Sequence, residues 1–209
     1  DKWILSRLNN VIKEVTDNME KYELGIAVQK IYDFLWDELC DWYIEIAKVR
    51  LWKAEEDPKA ANEALWTLRT ALTQGLKLLH PFMPFISEEI FCNLQEEEET
   101  IMVSQWPVYR DDWSFAKEEQ STETIKEAVR AIRGVRSSMN VPPSKKATVY
   151  VVSEDEGLLR IFEHSRSFFA TLGYAGEVIL QKNKDGIADD AVSAVIHRAV
   201  IYMPFADLV

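Results

Sequence analysis

Leu65, Leu68, Leu72, Leu76 and Leu79 recur at spacings of three and four, and the run is then cut by Pro81 and Pro84, three residues apart. Apolar residues at that spacing share one face of a helix. Proline pushes the residue before it away from helical dihedrals, so Pro81 ends this helix. At a first helical position its missing N–H is no loss, so Pro84 opens the next one. Asp57-Pro58 marks the other end of the leucine helix in the same way, Asp as N-cap and Pro at the first helical position. Long helices with connections this short imply a helical bundle.

Two earlier segments add to that bundle. Residues 3–20 carry Ile4, Leu5, Leu8, Val11, Ile12, Val15 and Met19 at helical spacing. After Gly25 a second helix is expected over 26–53, with Ile31, Leu35, Leu39, Trp42 and Ile46 on its inner stripe and many aromatics, among them Tyr32, Phe34, Trp36, Tyr43 and Trp52. The helix after Pro84 carries Ile86, Ile90, Phe91 and Leu94. The acidic run 96–99 and the stretch 104–112 read as loop with some extended structure, and a fifth helix as spanning 116–138.

The pattern then changes. Ala147-Thr-Val-Tyr-Val-Val152 is β-branched and aromatic, which predicts a strand. Ser153-Glu-Asp-Glu156 reads as a capping box opening a helix to about Leu172. That helix turns Leu158, Leu159, Phe162 and Phe169 inward and is closed by Gly173. A strand over 177–182 and one or two more over 191–203 complete the pattern. The expected fold is mainly α: a helical bundle over 1–112, followed over 113–209 by the fifth helix and a small α/β appendage.

The chain has 209 residues, 47% of them hydrophobic, with seven Trp, enough for a sizeable core. No apolar run reaches the length of a membrane-spanning helix. The first residues have no signal-peptide layout and no initiator Met, and the last follow an apolar stretch, so a fragment of a longer chain is expected. Cys40 and Cys92 stand alone, which fits a reducing, cytoplasmic setting better than a disulfide. His80, His164 and His197 lack metal-site spacing, and the glycines form no phosphate loop. The pairs Asp37-Glu38 and Glu88-Glu89 read as solvated charge, and His80, at a helix end, as a cap or packing residue. No nucleophile, base and electrophile assemble, so no catalytic, cofactor-binding or metal-ligating residue is expected here.

The net charge is −11, yet residues 125–150 hold Lys126, Arg130, Arg133, Arg136, Lys145 and Lys146 against Glu127 alone. On a 3.6-residue wheel the four helical cations fall within about 120° of arc. Beside them lies an apolar arc of Ile125, Val129, Ile132, Val135 and Met139, expected to pack on the bundle while the basic arc faces out. Arginines spaced this way can follow a phosphate backbone, and Asn140-Val-Pro-Pro-Ser-Lys-Lys146 continues the positive surface through a stiff loop. The same pattern also suits a solvated helix face whose arginines pair with the acidic body. At the end of the second helix, Trp42 fits the core stripe, which leaves Tyr43 on another face beside Lys48 and Arg50; unpaired RNA bases stack on such rings.

Several segments carry a resemblance. Trp3-Ile-Leu-Ser-Arg-Leu-Asn9, Tyr32-Asp-Phe-Leu-Trp-Asp-Glu-Leu-Cys-Asp-Trp-Tyr-Ile-Glu45, His80-Pro-Phe-Met-Pro-Phe-Ile-Ser-Glu-Glu-Ile90 and Ser104-Gln-Trp-Pro107 resemble the anticodon-binding region of class I aminoacyl-tRNA synthetases. Arg130-Ala-Ile-Arg133 followed by Met139-Asn-Val-Pro-Pro-Ser-Lys-Lys146 is more specific and is similar to the valyl-tRNA synthetase family. The resemblance implies a cytoplasmic, monomeric ligase that joins valine to its tRNA through an adenylate, using ATP and magnesium, and edits mischarged product at a separate site. Both ATP-binding signatures of that family are missing from this sequence. The resemblance therefore implies a module that binds the anticodon stem-loop of valine tRNA, with no membrane partner and no cofactor of its own. It assigns that role to the bundle, most readily to the region of Tyr43, Ile44, Lys48 and Arg50; the charge pattern, apart from the resemblance, adds the fifth helix and loop (Lys126, Arg130, Arg133, Arg136, Asn140, Lys145, Lys146) as candidate contacts. The competing reading is a helical scaffold that holds protein partners by exposed aromatics.

Overall fold

The computed structural model describes residues 1–94 and 100–209; the acidic run 96–99 lies outside them. The chain divides into two compact units, Asp1–Glu119 and Gln120–Val209, where the sequence put the cut between 112 and 113.

The first unit is a helical bundle. α1 (Lys2–Glu20) packs its buried row Ile4, Leu8, Val11, Ile12 and Val15 inward. α2 (Leu24–Tyr32) runs without a break into a π-helical segment (Asp33–Ile44) and then α3 (Glu45–Leu51). α4 (Pro58–Leu79) starts as expected: Asp57 Oδ1 accepts from the Ala60 N–H at 3.0 Å, with Pro58 next. α5 (Pro84–Leu94) follows the second proline. Leu76, Phe91 and Ile101 form a buried cluster that Leu72, Ile90 and Leu94 pack against. Two short 3₁₀ turns, Ile101–Val103 and Asp111–Trp113, flank the expected loop, whose residues 105–110 form no helix or strand. Among the described residues, no helix is long and apolar enough to cross a membrane.

The inner faces of two helices differ from the expected stripes. On α4 the buried residues are Ala61, Ala64, Thr67, Ala71, Gly75, Leu76 and Leu78; Leu76 of the expected stripe is among them, while Leu65 is 53% exposed. Small residues let helices approach closely: a Cβ at Gly75 would stand 2.6 Å from Leu35 Cδ2. On the second long helix the largest fully buried side chains are Ile31, Phe34, Leu39 and Tyr43, and Trp42 and Ile46 are buried as expected, so Phe34 takes the place of Leu35 on the inner row. The step from Phe34 to Leu39 is five residues. A π-helix bonds i to i+5 and holds more residues per turn than an α-helix, so a row drawn on a 3.6-residue wheel drifts off the true inner face.

The second unit takes most of α6 (Ala116–Ser138) and a four-stranded sheet of order β2-β1-β4-β3. β1 (Ala147–Val152) pairs in parallel with β2 (Ala175–Gln181). A parallel pair needs a crossover, supplied by α7 (Glu156–His164) and α8 (Arg166–Leu172). β3 (Val192–Ile196) and β4 (Ala199–Met203) form a hairpin, β4 pairing antiparallel with β1, and a short α9 (Phe205–Leu208) ends the chain. Alternate residues of β1 are buried, as a half-covered strand requires. Phe162 and Phe169 meet edge to face at 5.4 Å in the core of this unit.

The expected capping box is corrected. Asp155, not Ser153, caps α7, its Oδ1 accepting from the Gly157 and Leu158 N–H groups at 2.8 and 3.1 Å. Ser153 instead donates to the Arg198 carbonyl and accepts from the Asp155 N–H. The single expected helix is also broken at Ser165. Gly173 closes α8, and Tyr174 takes the left-handed conformation after it, at φ 54°.

Candidate nucleic-acid interface

In the first unit, the second long helix supplies both a buried and an exposed set of polar and aromatic groups. Tyr43 belongs to the buried set. It is 0% exposed, its ring meets Trp3 edge to face at 6.1 Å, and its hydroxyl donates to Asp1 Oδ1 at 2.6 Å. Burial pushes the phenol above its ordinary value of 10, against the hydrogen bond of Thr67 and the charge of Arg50. The expectation that Tyr43 offers its face to a base is corrected: the π segment turns it into the core. Arg50 is tied to the same place, donating from Nη1 to Asp1 Oδ2 at 2.8 Å.

Ile44 and Lys48 remain half-buried on the outer side, and Lys48 Nζ reaches Glu45 at 2.5 Å. They continue a row at four-residue steps that begins with Tyr32, Trp36 and Cys40, all exposed. The rings of Tyr32 and Trp36 stack, 6.3 Å apart with 13° between their planes. Each is more than half exposed. An exposed, parallel aromatic pair is a surface on which an unpaired base can lie. The sequence analysis noted both rings but gave them no role; their spacing of four was the available signal.

In the second unit, the four cations of α6 do not form one outward arc. Arg130 and Arg133 are exposed, whereas Lys126 and Arg136 are buried, at 6% and 4% exposure. That expectation is corrected, and the reason is local. Residues 126 and 136 adjoin the inner residues Ile125 and Val135, on the flank of the apolar row that also includes Val129 and Ile132. Lys126 lies 3.6 Å from Glu123, and Arg130 donates to Glu123 at 2.9 Å. Arg133 Nε donates to the Leu172 carbonyl at the end of α8, at 2.6 Å. Arg136 Nη2 donates to the carbonyls of Pro142 and Lys145, at 2.8 and 2.6 Å, and so pins the loop after Asn140. Asn140 has φ 54°, and its residue, like Lys146, is exposed.

The histidines stay apart. His80 Nδ1 meets Ser87 Oγ at 2.8 Å and its Nε2 meets the sulfur of Met102 at 2.9 Å, a packing role at a helix end. No group of three or more His, Cys, Asp or Glu among the described residues could hold a metal ion.

The family model described as the anticodon-binding domain of tRNA ligase matches residues 1–151, and the chain belongs to that family. Over all 209 residues it is 50% identical to a valine–tRNA ligase of Clostridium tetani, 47% to one of Clostridium acetobutylicum and 39% to one of Carboxydothermus hydrogenoformans. All of this chain is covered in each case, and it spans 23% of the length of those relatives.

Proposed function

We propose that the chain is the part of a valine–tRNA ligase that binds the anticodon stem-loop of valine tRNA. The observation that carries this reading is the full-length similarity to valine–tRNA ligases together with the match to the anticodon-binding family. The parent enzyme would be a cytoplasmic monomer that uses ATP and magnesium to join valine to tRNA. The work proposed for this part of the enzyme is binding and orientation of the tRNA. Ile44 and Lys48, with the Tyr32–Trp36 pair, are the proposed contacts in the first unit. Arg130, Arg133, Asn140, Lys145 and Lys146 are those in the second. A protein-interaction scaffold is not favoured, because the similarity is to tRNA ligases over the whole chain.

The charge supports a division of labour. The first unit holds 13 Lys and Arg against 24 Asp and Glu, the second 11 of each, so the whole net charge of −11 sits on the first. Phosphate attraction therefore falls to the second unit and base contact to the first. The test is binding of the 209-residue chain to a valine-tRNA anticodon stem-loop and to the same hairpin with its anticodon altered, at two salt concentrations. Tighter, salt-sensitive binding to the correct hairpin is expected; equal binding to both would overturn the reading.

A further inference from the structure

The second unit holds a cleft of about 300 Å³ that none of the contacts above uses. Three elements wall it: α6 over its stretch from Gln120 to Thr124, the first turns of α7, and the turn His197-Arg198 that joins β3 to β4. That turn is fixed from three sides. Ser153 Oγ donates to the Arg198 carbonyl at 2.6 Å, the His197 N–H donates to Glu127 Oε1 at 3.0 Å, and the Arg198 guanidinium pairs with Asp155, the cap of α7. Arg198 sits in a left-handed backbone, φ 65°, which glycine adopts without steric cost. Glycine there would relax the turn and remove the guanidinium that closes one side of the cleft. A side chain kept in a conformation that disfavours it points to a use for that side chain.

The wall chemistry narrows the ligand. Its charged residues are Asp155 and Arg198, which neutralise each other, so the cleft holds no spare cation for a free phosphate. Leu158 and Ile161 supply an aliphatic side. The side chains of Gln120 and Ser121 and the ring of His197 make no hydrogen bond or ion pair among the described residues. A carboxamide and a hydroxyl both donate and accept, and imidazole and guanidinium planes are surfaces on which a base stacks. A neutral ligand with one flat face and several hydroxyl groups matches this set. The volume lies at the lower end of small-ligand sites, which suits one nucleoside and excludes a paired stem.

We propose that this cleft takes a single unpaired nucleoside of the bound RNA. The base lies against His197, Arg198 and the aliphatic side, and the ribose hydroxyls meet Ser121 and Gln120. This rests on the tRNA-binding reading above and adds one nucleoside contact in the second unit, on residues outside the phosphate contacts named there. A partner for the 2′-hydroxyl is what separates RNA from DNA at such a place.

Two measurements test the cleft. In the first, adenosine, cytidine, guanosine and uridine are titrated one at a time into the 209-residue chain, and the Ser121 amide and His197 ring resonances are followed. At least one ribonucleoside is expected to give saturable shifts, and its 2′-deoxy form to bind more weakly. Ser121→Leu, which fills the cleft from the half-buried side of α6, is expected to abolish the shifts. No shifts, or shifts that survive in Ser121→Leu, overturn the proposal, and equal binding of the deoxy form overturns its assignment to RNA. Inorganic phosphate is expected to leave both resonances in place; saturable movement with phosphate alone would make this an anion site and overturn the nucleoside. In the second, binding of a valine-tRNA transcript is compared for the wild type, His197→Ala and Ser121→Leu. Loss of the stacked base is expected to weaken binding about fivefold. Unchanged affinity in both variants, with the wild type still binding, overturns the cleft and leaves the tRNA reading standing. No tRNA binding by the wild type overturns both.

Discussion

The Asn9 side chain and the peptide of Arg110 hold each other by two hydrogen bonds of 2.8 Å, Nδ2 to the carbonyl and the Arg110 N–H to Oδ1. Asn9 is fully buried in α1 and the two residues are 101 positions apart. A single amide thereby fixes the returning chain beside the first helix.

Asn9→Ala removes both bonds and leaves the opposing backbone groups without their partner. The expected loss is about 1–3 kcal/mol of unfolding free energy, read by denaturant titration. Asn9→Asp keeps the acceptor and loses the donor, so it is expected to be destabilised as well, with its carboxylate facing a carbonyl oxygen. A variant as stable as the wild type would show that the bridge contributes nothing.

Tyr43 separates a core role from a reading role. Tyr43→Phe keeps the ring and loses the hydroxyl bond to Asp1, with an expected cost of about 1 kcal/mol. Tyr43→Ala opens a cavity and costs about 3–5 kcal/mol. Discrimination between anticodon hairpins is expected to survive in Tyr43→Phe; its disappearance in a folded protein would return Tyr43 to the interface.

Tyr32 and Trp36 should behave in the opposite way. Their stacked rings stand in solvent, so replacing both by Ala is expected to change stability by less than about 0.5 kcal/mol. If a base lies on the pair, hairpin affinity falls by about 1–3 kcal/mol, roughly fivefold to 150-fold. Fluorescence titration checks the affinity and thermal unfolding the stability.

The Glu88 carboxylate sits below its ordinary value of 4.5, held there by the Thr100 hydrogen bond and by the Ile101 N–H, which donates to Oε2 at 3.1 Å. A lowered folded-state value stabilises the fold above the unfolded value, and that support is lost as pH falls through the folded one. The Ile101 amide resonance is therefore expected to move in a single step below pH 4.5. Glu88→Gln should abolish the step; if it persists, another group is titrating.

The helix ends were legible because prolines and caps act locally: Asp57, Pro58, Pro81 and Pro84 mark boundaries that the structure keeps. β1 was legible for a similar reason, five β-branched or aromatic residues among its six positions with alternating burial. Which face turns inward was harder to read. Leu65 looked like core because it is leucine, but close approach of helices selects Ala61, Ala64 and Gly75 instead. Lys126 and Arg136 lie at the edge of the apolar arc, where a wheel cannot say whether a long cation swings out or folds under. The burial of Arg136 depends on carbonyls six and nine residues later in a loop whose course composition does not fix.

The five-residue step from Phe34 to Leu39 also bears on how relatives of different length can be compared. A homologue lacking one residue between those two positions would step by four, form ordinary α-helix there, and still send both flanking stretches to the same inner side. Its aromatic pair and its Ile44-like position would each keep their place relative to the nearer flank. A one-residue gap within the π-helical segment is thus a change the bundle can absorb.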